Sequence, residues 1–269
     1  MSSGTGGTGT GRTLITGSSV GIGAALADVF AAHGHDLILV ARDREKLQRR
    51  AAELEQKFQV KVAWFTEDLA EPGGPARLHR TVSAEGLEVE HLVNNAGVGL
   101  YGKFVSTDLD AELKMIQLNV TSVVELTKRF LPFMVQRQRG RVLNVASTAA
   151  FVPGPWMSVY YATKAFVLSF SEAIDYELRP KGITVTALCP GPTESEFKAR
   201  AGSERSRLFE ALVMDASTVA RAGYDGMMQG KAVVIPGLRN KLIPVAARLV
   251  PRPVMTAMSY RAARPSEND

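Results

Sequence analysis

The stretch Arg12–Phe30, which reads RTLITGSSVGIGAALADVF, decides the fold. Its first five residues, Arg12 to Thr16, predict a short strand. The glycine-rich residues 17–23 predict a turn. Apolar residues then recur with helical spacing, at Ile22, Leu26, Val29 and Phe30. A strand, a glycine turn and a helix in this order present free backbone N–H groups and the positive end of the helix dipole to an anion. This unit is therefore a candidate phosphate-binding site.

Strand and helix patterns alternate through the rest of the chain. Further strands are predicted at residues 36–41, 60–65, 91–97 with a glycine exit, 140–147, 182–188 and 231–235. Helices are predicted at residues 43–58, from 75 to about 86, through 119 to about 138, and from 160 to about 178. The polar stretch 193–215 carries few structural signals. This alternation predicts an α/β fold, a single-domain doubly wound (Rossmann) parallel sheet of about seven strands with helices on both faces.

The composition is that of a soluble globular protein, with 45% apolar and 22% charged residues in a chain of 269. The single cysteine, Cys189, excludes an internal disulfide. The first residues lack the apolar core of a secretory signal, and no apolar run has the length of a membrane span. We therefore expect a cytoplasmic protein.

Three segments are expected along the chain. Residues 1–11 form a flexible lead-in, where a G-x-G-x-x-G match at residues 4–9 lacks the strand and helix that the motif requires. Residues 12–237 form the main domain. Residues 238–269 form a basic extension packed on or following that domain, and from Arg239 onward it holds six basic and two acidic residues. We expect a solvated or subunit-facing surface there, without nucleic acid or stable membrane insertion, although a basic tail also suits either partner.

A second informative stretch, STAAFVPGPWMSVYYATK, runs from Ser147 to Lys164. Tyr160 and Lys164 are four residues apart and share one helical face. Because a cation favours the phenolate, Lys164 is expected to lower the pKa of Tyr160 from roughly 10 towards neutrality, where it can act as an acid or base. Ser147 ends a predicted strand and is expected to point at the same place. The alternative is an amphipathic helix with a surface Tyr–Lys pair.

The glycine turn also fits a second motif. Residues 17–21 match the G-x-S-x-G pattern of a nucleophile elbow. That chemistry needs a histidine later in the chain, but no histidine follows residue 91. The histidines also lack the clustering with cysteine or carboxylates of a metal site. The sequence therefore disfavours an esterase and predicts no bound metal.

Arg42 lies at the end of the second predicted strand, where a dinucleotide fold meets the adenosine ribose. An acidic residue there would accept hydrogen bonds from the 2′-hydroxyl. Here Ala41 and Arg42 stand instead, and a guanidinium suits a 2′-phosphate. The alternative is that Arg42 merely begins the next helix.

Taken together, these motifs resemble the short-chain dehydrogenase/reductase family in its compact single-domain branch. The resemblance covers residues 13–237. The matching features, in chain order, are T-G-x-x-x-G-x-G at Thr16–Gly23, Asp68 after the third strand, N-N-A-G at Asn94–Gly97, Asn119, Ser147, Tyr160 with Lys164, and Pro190-Gly191. Their order, with Ser147 thirteen residues before Tyr160, is more specific than any one of them.

The resemblance implies a role for each matching residue. Tyr160 would be the acid/base at the substrate oxygen, Ser147 would orient that oxygen, and Lys164 would hold the nicotinamide ribose. Asn119 would anchor a water in a proton path, and Asn94 and Gly97 would support the adenosine side and the central strand. The implied cofactor-binding residues are Thr16, Gly17, Ser18, Ser19, Gly21, Ile22, Gly23, Arg42, Asp68, Leu69, Asn95, Ala96, Gly97, Tyr160, Lys164, Pro190, Gly191 and Thr193.

The implied activity is NADP(H)-dependent interconversion of a moderately apolar ketone or aldehyde with its alcohol. NADP(H) is preferred over NAD(H) on the strength of Arg42, although Ser18 and Ser19 stand where many NADP-using relatives carry a basic residue. Residues expected to line the substrate pocket are Val98, Leu100, Phe151, Val152, Trp156, Met157 and Phe197. The resemblance also suggests a homodimer or homotetramer through the helices of Asn119 and Tyr160. A non-catalytic NADP(H)-binding regulatory protein of the same fold is the alternative.

Overall fold

Seven strands form one sheet in the residues that the computed structural model describes, 11–194, 197, 201–202 and 213–265. They are β1 (Arg12–Thr16), β2 (Leu37–Ala41), β3 (Val62–Thr66), β4 (Val89–Asn94), β5 (Gly140–Val145), β6 (Ile183–Leu188) and β7 (Val233–Val234). All pairs are parallel, and the spatial order is β3-β2-β1-β4-β5-β6-β7. The predicted fold class is confirmed.

Helices connect these strands. In the described part of the chain they are α1 (Gly21–Ala32), α2 (Arg44–Phe58), α3 (Gly74–Ala84), α4 (Leu109–Ile116), α5 (Ser122–Arg137), α6 (Ser158–Leu178), α7 (Ala216–Met228), α8 (Leu242–Leu249) and α9 (Arg252–Ala263). A π-helical turn, Gln117–Thr121, joins α4 to α5. Residues 1–10 of the predicted lead-in (1–11) and most of the polar stretch 193–215 lie outside the described residues.

Side chains of β1 alternate between two apolar cores. Ile15 packs with Phe30 of α1 and Val219 of α7 on one face of the sheet. Leu14 packs with Leu126 of α5 on the other face. Because successive strand residues point to opposite faces, one buried strand joins both helical layers. This burial on both faces explains why the strands are continuous apolar runs in the sequence.

The strand order creates a crevice at the carboxyl end of β1. This strand pairs with β2 on one side and β4 on the other, so the chain crosses in opposite directions from it. In open parallel sheets, ligands bind outside the carboxyl ends of the strands at such a switch point. The loops that follow β1, β2, β4, β5 and β6 therefore converge at one edge.

Two elements differ from the sequence-based expectation. The long helix predicted through Asn119 is divided into α4, a π turn and α5, and the side chain of Asn119, within the π turn, hydrogen-bonds to the backbone of Val98. The last strand is only two residues long, Val233–Val234, and it lies at the sheet edge, where it pairs with β6. The extension from residue 238 contains two helices, α8 and α9, although the sequence analysis predicted no helix or strand there. No helix among the described residues has the length and apolar character that crossing a bilayer requires.

Candidate active site

A cavity of about 650 Å³ opens at this edge of the sheet. Most of the predicted catalytic and cofactor-binding residues line it, namely Gly17, Ser19, Gly21, Ile22, Gly23, Arg42, Asp68, Leu69, Asn95, Ala96, Gly97, Ser147, Tyr160, Lys164, Pro190, Gly191 and Thr193. The three others, Thr16, Ser18 and Asn119, are almost fully buried and do not line it. Residues far apart in the sequence are thus brought to one cavity.

The glycine turn after β1 lies close to neighbouring backbone. Gly17 has a φ of 65°, and a Cβ added there would lie 2.9 Å from the Cα of Ala96. A Cβ added at Gly23 would lie 2.2 Å from the carbonyl oxygen of Gly17. Neither position accommodates a larger residue, so the turn packs tightly and leaves its outer side to the cavity.

The amino-terminal end of α1 faces the same cavity. Val20 precedes the helix in an extended conformation and supplies no side-chain cap to the first N–H groups. Gly21, Ile22 and Gly23, the first three residues of α1, line the cavity wall. Uncapped N–H groups and the positive helix end favour an anion at this point. The glycine turn and this helix end together fit a dinucleotide pyrophosphate.

The side chain of Thr16 braces the turn from behind. Its Oγ1 accepts hydrogen bonds from the backbone N–H groups of Asn95 and Ala96, both at 3.0 Å. The side-chain amide of Asn95 donates in return to the carbonyl oxygens of Thr16 and Gly17, at 2.8 and 3.1 Å. Ser18 donates to the carbonyl of Val40 and faces the sheet. The loops after β1 and β4 are therefore held together.

Arg42 stands at the cavity rim with an exposed side chain. Its guanidinium lies 3.6 Å from the Oδ2 atom of Asp68. The neighbouring carboxylates have partners of their own: Asp43 caps α2 by accepting from the N–H of Lys46, and Glu67 pairs with Arg77 at 2.7 Å. The rim therefore offers a guanidinium to a negatively charged group at the end of β2.

Ser147 and Tyr160 meet on the opposite wall. Burial raises the pKa of the Tyr160 phenol, and a hydrogen bond with the Ser147 side chain opposes that shift. The Ser147 hydroxyl also accepts from the N–H of Ala149 at 3.1 Å. The structure thus places the tyrosine within reach of the serine and keeps it protonated at neutral pH.

The Tyr160 pKa was expected to be lowered by Lys164, but it is raised, mainly by burial of the phenol. Lys164 Nζ lies 5.8 Å from the centre of the Tyr160 ring and donates to the carbonyl oxygen of Val145 at 2.8 Å. Burial also lowers the pKa of Lys164 to about 8, against a smaller opposing effect of Cys189. Taking charge out of water disfavours both the phenolate and the ammonium ion. Tyr160 and Lys164 are close to each other, but desolvation is the largest cause of the pKa shift of each.

Asn119 lies in the π turn and connects two parts of the site. Its side chain accepts from the N–H of Val98 at 3.0 Å and donates to the Val98 carbonyl at 2.9 Å. It also donates to Thr163 Oγ1 on α6 at 3.1 Å. A Cβ added at Gly97 would approach this side chain to 3.2 Å. Asn119 therefore holds the loop after β4 against α6, and its water-anchoring role stays a prediction.

Asn94 belongs to a buried polar chain behind the site. Its amide donates to Thr127 Oγ1 at 3.1 Å and to Asn144 Oδ1 at 2.9 Å. Asn144 donates in turn to Ser171 Oγ of α6 at 2.9 Å. These bonds join β4 and β5 to α5 and α6, in keeping with the expected support of the central strand.

The residues after β6 form a further part of the cavity wall. Thr193 donates through Oγ1 to the carbonyl oxygen of Gly191 at 2.9 Å. A Cβ added at Gly191 would lie 2.7 Å from the side-chain amide of Asn240, which precedes α8. The loop and the C-terminal segment are therefore in close contact.

Four of the seven predicted substrate-pocket residues line the cavity, Val98, Val152, Met157 and Phe197. The other three, Leu100, Phe151 and Trp156, do not. Phe151 packs against the cluster around Val167. Trp156 stacks between Tyr101 and Tyr260, with ring centres 5.7 and 6.1 Å away. The Trp156 ring therefore lies behind the cavity wall, where Tyr260 of α9 packs against it.

The sequence analysis did not predict that the C-terminal helices form one wall of the cavity. Residues of α8 and α9 line it, namely Ile243, Met255, Met258, Ser259 and Ala262. Most of the α9 residues among them recur at three- and four-residue intervals, a helical pattern that could have been recognised within the basic extension. The hydroxyl of Tyr101 secures this wall by donating to the carbonyl oxygen of Ala263.

The histidines lie away from the glycine turn. His33 and His35 contact the ring of Tyr224, and His35 also contacts His91. His79 packs against Phe130. These contacts support the exclusion of an esterase. Within the described ranges, no group of three or more histidine, cysteine or acidic residues is arranged to hold a metal ion.

The sequence matches a family model described as short chain dehydrogenase over residues 12–206. It is 35% identical to human very-long-chain 3-oxoacyl-CoA reductase over 181 residues, which is 66% of this chain and 57% of the relative. It is 39% identical to 17-beta-hydroxysteroid dehydrogenase type 3 of Mus musculus over 185 residues, covering 66% of this chain and 58% of the relative. The matches thus span less than two thirds of these curated relatives.

A solved structure extends the similarity over nearly the whole chain. It is a short-chain dehydrogenase from Sphingobium yanoikuyae in complex with NADPH, with 34% sequence identity and a TM-score of 0.81. The comparison covers 96% of this chain and 99% of that chain.

Proposed function

Because the chain belongs to the short-chain dehydrogenase/reductase family, we propose that it is an oxidoreductase that interconverts a bulky apolar ketone and its alcohol with NADP(H). The observation that carries this proposal is the meeting of Ser147, Tyr160 and Lys164 in a cavity that also contains the glycine turn. In this assignment residues 12–237 form the cofactor-binding and catalytic domain, and residues 238–269 form an extension of it.

The residues around the cavity fit a nicotinamide dinucleotide, which supplies or accepts the hydride when bound. The turn at Gly17 and the uncapped end of α1 would hold the pyrophosphate. Lys164 would bind the nicotinamide ribose, and Asp68 would lie beside the adenine. Pro190, Gly191 and Thr193 would flank the carboxamide.

Proton transfer at the substrate oxygen falls to Tyr160. Burial keeps its hydroxyl protonated at neutral pH, so it is prepared to donate to the oxygen of a carbonyl that becomes an alcohol. Ser147 would donate a second hydrogen bond to the same oxygen, and one well-placed donor contributes about 3 kcal/mol to stabilising an oxyanion. Lys164 would favour the phenolate once Tyr160 has lost its proton.

The preference for NADP(H) over NAD(H) rests on Arg42. Its guanidinium is exposed at the rim, and its ion pair with Asp68 is long, at 3.6 Å. A phosphate binds a guanidinium through two parallel hydrogen bonds, which a ribose hydroxyl cannot do. The NADPH in the structure from Sphingobium yanoikuyae supports the same preference.

A bulky, apolar substrate fits the far end of the cavity. The side chains there are mostly apolar, with Val152, Met157 and Phe197 on one side and Met255 and Met258 of α9 on the other. The names of both curated relatives refer to carbonyl or alcohol chemistry on molecules with a large hydrocarbon part, a very-long-chain acyl-CoA and a steroid. We therefore favour a ketone attached to an extended hydrocarbon frame.

We also propose self-association through α4 and α6. An apolar depression between them includes Phe104, Ile116, Val120 and Val159. Phe104 and Ile116 are exposed in the single chain. A second copy would bury this surface in a homodimer or homotetramer. A cytoplasmic location stays a prediction.

The proposal is tested by following NADPH oxidation with a series of apolar ketones of increasing size. Tyr160→Phe is expected to lower kcat by about 10²-fold or more, since it removes the proton donor. Tyr176→Phe on the exposed side of the same helix is the matched control and should retain full activity. NADPH binding without reduction of any ketone would favour the regulatory alternative.

The cofactor assignment has a separate test. Arg42→Ala is expected to raise the KM for NADPH by about tenfold and to leave that for NADH nearly unchanged, because a charged hydrogen bond contributes about 1.5 kcal/mol or more. Arg49→Ala, an exposed arginine on α2, is the control. Equal KM values for NADPH in Arg42→Ala and wild type would contradict the role of Arg42.

A further inference from the structure

The C-terminal helices carry an exposed surface that the proposed function leaves unexplained. Seven large apolar side chains in this segment are exposed, namely Leu238, Leu242, Val245, Leu249, Val254, Met258 and Tyr260. Leu238 is 83% exposed and Leu249 is 78% exposed. An apolar set of this density within a short segment indicates an interaction surface.

The exposed apolar side chains of α8 share one face of the helix. Leu242, Val245 and Leu249 are spaced by three and four residues and so form a single stripe. The opposite side of the helix turns towards the protein, where Ile243 reaches the cavity wall. The helix is therefore apolar on two sides, and the residues that the structure describes cover only one of them.

Basic residues accompany this stripe without any acidic ones. Six lie in the segment, Arg239, Lys241, Arg248, Arg252, Arg261 and Arg264, and no aspartate or glutamate occurs between residues 226 and 266. Arg248 lies beside Leu249 on α8 and is itself exposed. A positive surface around exposed apolar side chains matches the two components of an anionic membrane, its headgroups and its acyl chains.

We propose that this face, formed by residues 238–254, binds the surface of an anionic lipid bilayer. Leu242, Val245 and Leu249 enter the boundary between headgroups and acyl chains, and Lys241, Arg248 and Arg252 contact the headgroups. The association is peripheral, because α8 is eight residues long and lies in the plane of the surface. The inference is independent of the proposed function, since it concerns binding and not catalysis.

The proposed membrane-binding face lies next to the cavity. Leu242 on the exposed side and Ile243 on the cavity wall are adjacent residues of α8. The same segment continues into α9, which supplies Met255 and Met258 to the cavity. Docking would therefore hold the apolar end of the cavity close to the bilayer.

The test is cosedimentation of the full chain with vesicles at low ionic strength. Vesicles of phosphatidylcholine mixed with an equal amount of phosphatidylglycerol are expected to bind the protein, and vesicles of phosphatidylcholine alone to bind it weakly. Because salt screens exposed charges beyond a Debye length of about 3 Å at 1 M, high salt should release most of the bound protein.

Two double variants separate the apolar and the basic contributions. Leu242→Gln with Leu249→Gln and Arg248→Gln with Arg252→Gln are each expected to weaken binding by about 30-fold, since each residue contributes about 1 kcal/mol. The control for the leucine variant is Leu109→Gln, because Leu109 and Leu242 are both 66% exposed. The control for the arginine variant is Lys181→Gln with Lys231→Gln, which removes two exposed positive charges elsewhere. The controls should bind as wild type does. All of the substituted side chains are exposed, so folding should be retained, which circular dichroism checks.

Several results would overturn the proposal. Equal binding to neutral and anionic vesicles, or no binding to either, would exclude anionic lipid as the partner. The leucine variant could instead bind vesicles as wild type does but change from dimer to monomer in analytical ultracentrifugation. That result would show that this face binds a second copy of the chain. Loss of RNA binding by the arginine variant, with vesicle binding intact, would make the face a nucleic-acid site.

Discussion

The hydroxyl of Tyr101 donates a hydrogen bond of 2.6 Å to the carbonyl oxygen of Ala263. These residues are 162 positions apart, and the bond joins the loop after β4 to the last residue of α9. Trp156 stacks on Tyr101 on one side and on Tyr260 of α9 on the other. The far end of one wall of the proposed substrate pocket is therefore attached to the loop after β4.

Removing the Tyr101 hydroxyl should loosen that wall. Tyr101→Phe removes the hydrogen bond from the Tyr101 hydroxyl to the Ala263 carbonyl, and a hydrogen bond of this kind contributes about 1 kcal/mol. We expect hydrogen exchange of the α9 amides to become about fivefold faster while exchange in β1 and β4 is unchanged. Tyr176→Phe is the control, because Tyr176 is 85% exposed on α6. Unchanged α9 exchange in Tyr101→Phe would show that other contacts hold the helix.

Ala262 should limit the size of the substrate. Its side chain lines the cavity from α9, so Ala262→Phe adds a ring on the apolar side. We expect kcat/KM for the largest ketones to fall by about tenfold or more, with a smaller change for small ketones, since overpacking costs about 1–3 kcal/mol. Ala257→Phe, on a part of α9 that does not line the cavity, is the control. An equal loss for all ketones would contradict this role.

His91 should make the fold less stable in acid. It lies on β4, is 3% exposed and contacts Thr13 Oγ1 through Nδ1 at 3.2 Å. Burial lowers its pKa to about 4, although Glu90 acts in the opposite direction. Between about pH 6.5 and pH 4 the unfolded chain binds the proton and the folded chain does not, so stability falls as the pH falls.

The size of this effect is roughly 3 kcal/mol, from the difference between the two pKa values. Urea unfolding of wild type and of His91→Asn at several pH values measures it. We expect the variant to lose less stability than wild type across this range. The same pH slope in both proteins would show that His91 does not control acid sensitivity.

Lys164 should reduce stability at neutral pH. Burial lowers its pKa to about 8 from an ordinary value of 10.5, so the folded state carries a poorly solvated cation below pH 8. Between about pH 8 and 10.5 the unfolded chain holds the extra proton, and stability gains from this group as the pH rises.

Replacement by methionine removes that charge. We expect Lys164→Met to be more stable than wild type at pH 7, by up to roughly 3 kcal/mol, and the advantage to shrink towards pH 10.5. Urea unfolding without added cofactor at both pH values provides the measurement. The variant should also lose activity, which separates a functional need for Lys164 from a structural one. A variant that is less stable than wild type at pH 7 would contradict the burial argument.

The sheet could be predicted from the sequence because its signals are local. The apolar run that ends at Thr16, the glycine turn and the spacing of Leu26 and Phe30 define a β-α unit without reference to any distant residue. The same holds for the pair Tyr160 and Lys164 on one helical face. The ends of the helices and strands were predicted less well, because these ends depend on tertiary partners. The short strand β7 and the π turn at Asn119 are two examples.

Short motifs and periodic patterns in the sequence were enough to predict the family, the alternation of strands and helices up to residue 237, and most of the site residues that line the cavity. The upward shift of the Tyr160 pKa could be seen only in the folded chain, because desolvation depends on everything packed around the phenol. The tertiary structure also decided that Met255 and Ala262 belong to the cavity. No local pattern encodes a contact across 162 residues such as that between Tyr101 and Ala263, which forms only when the folded sheet brings the two segments together.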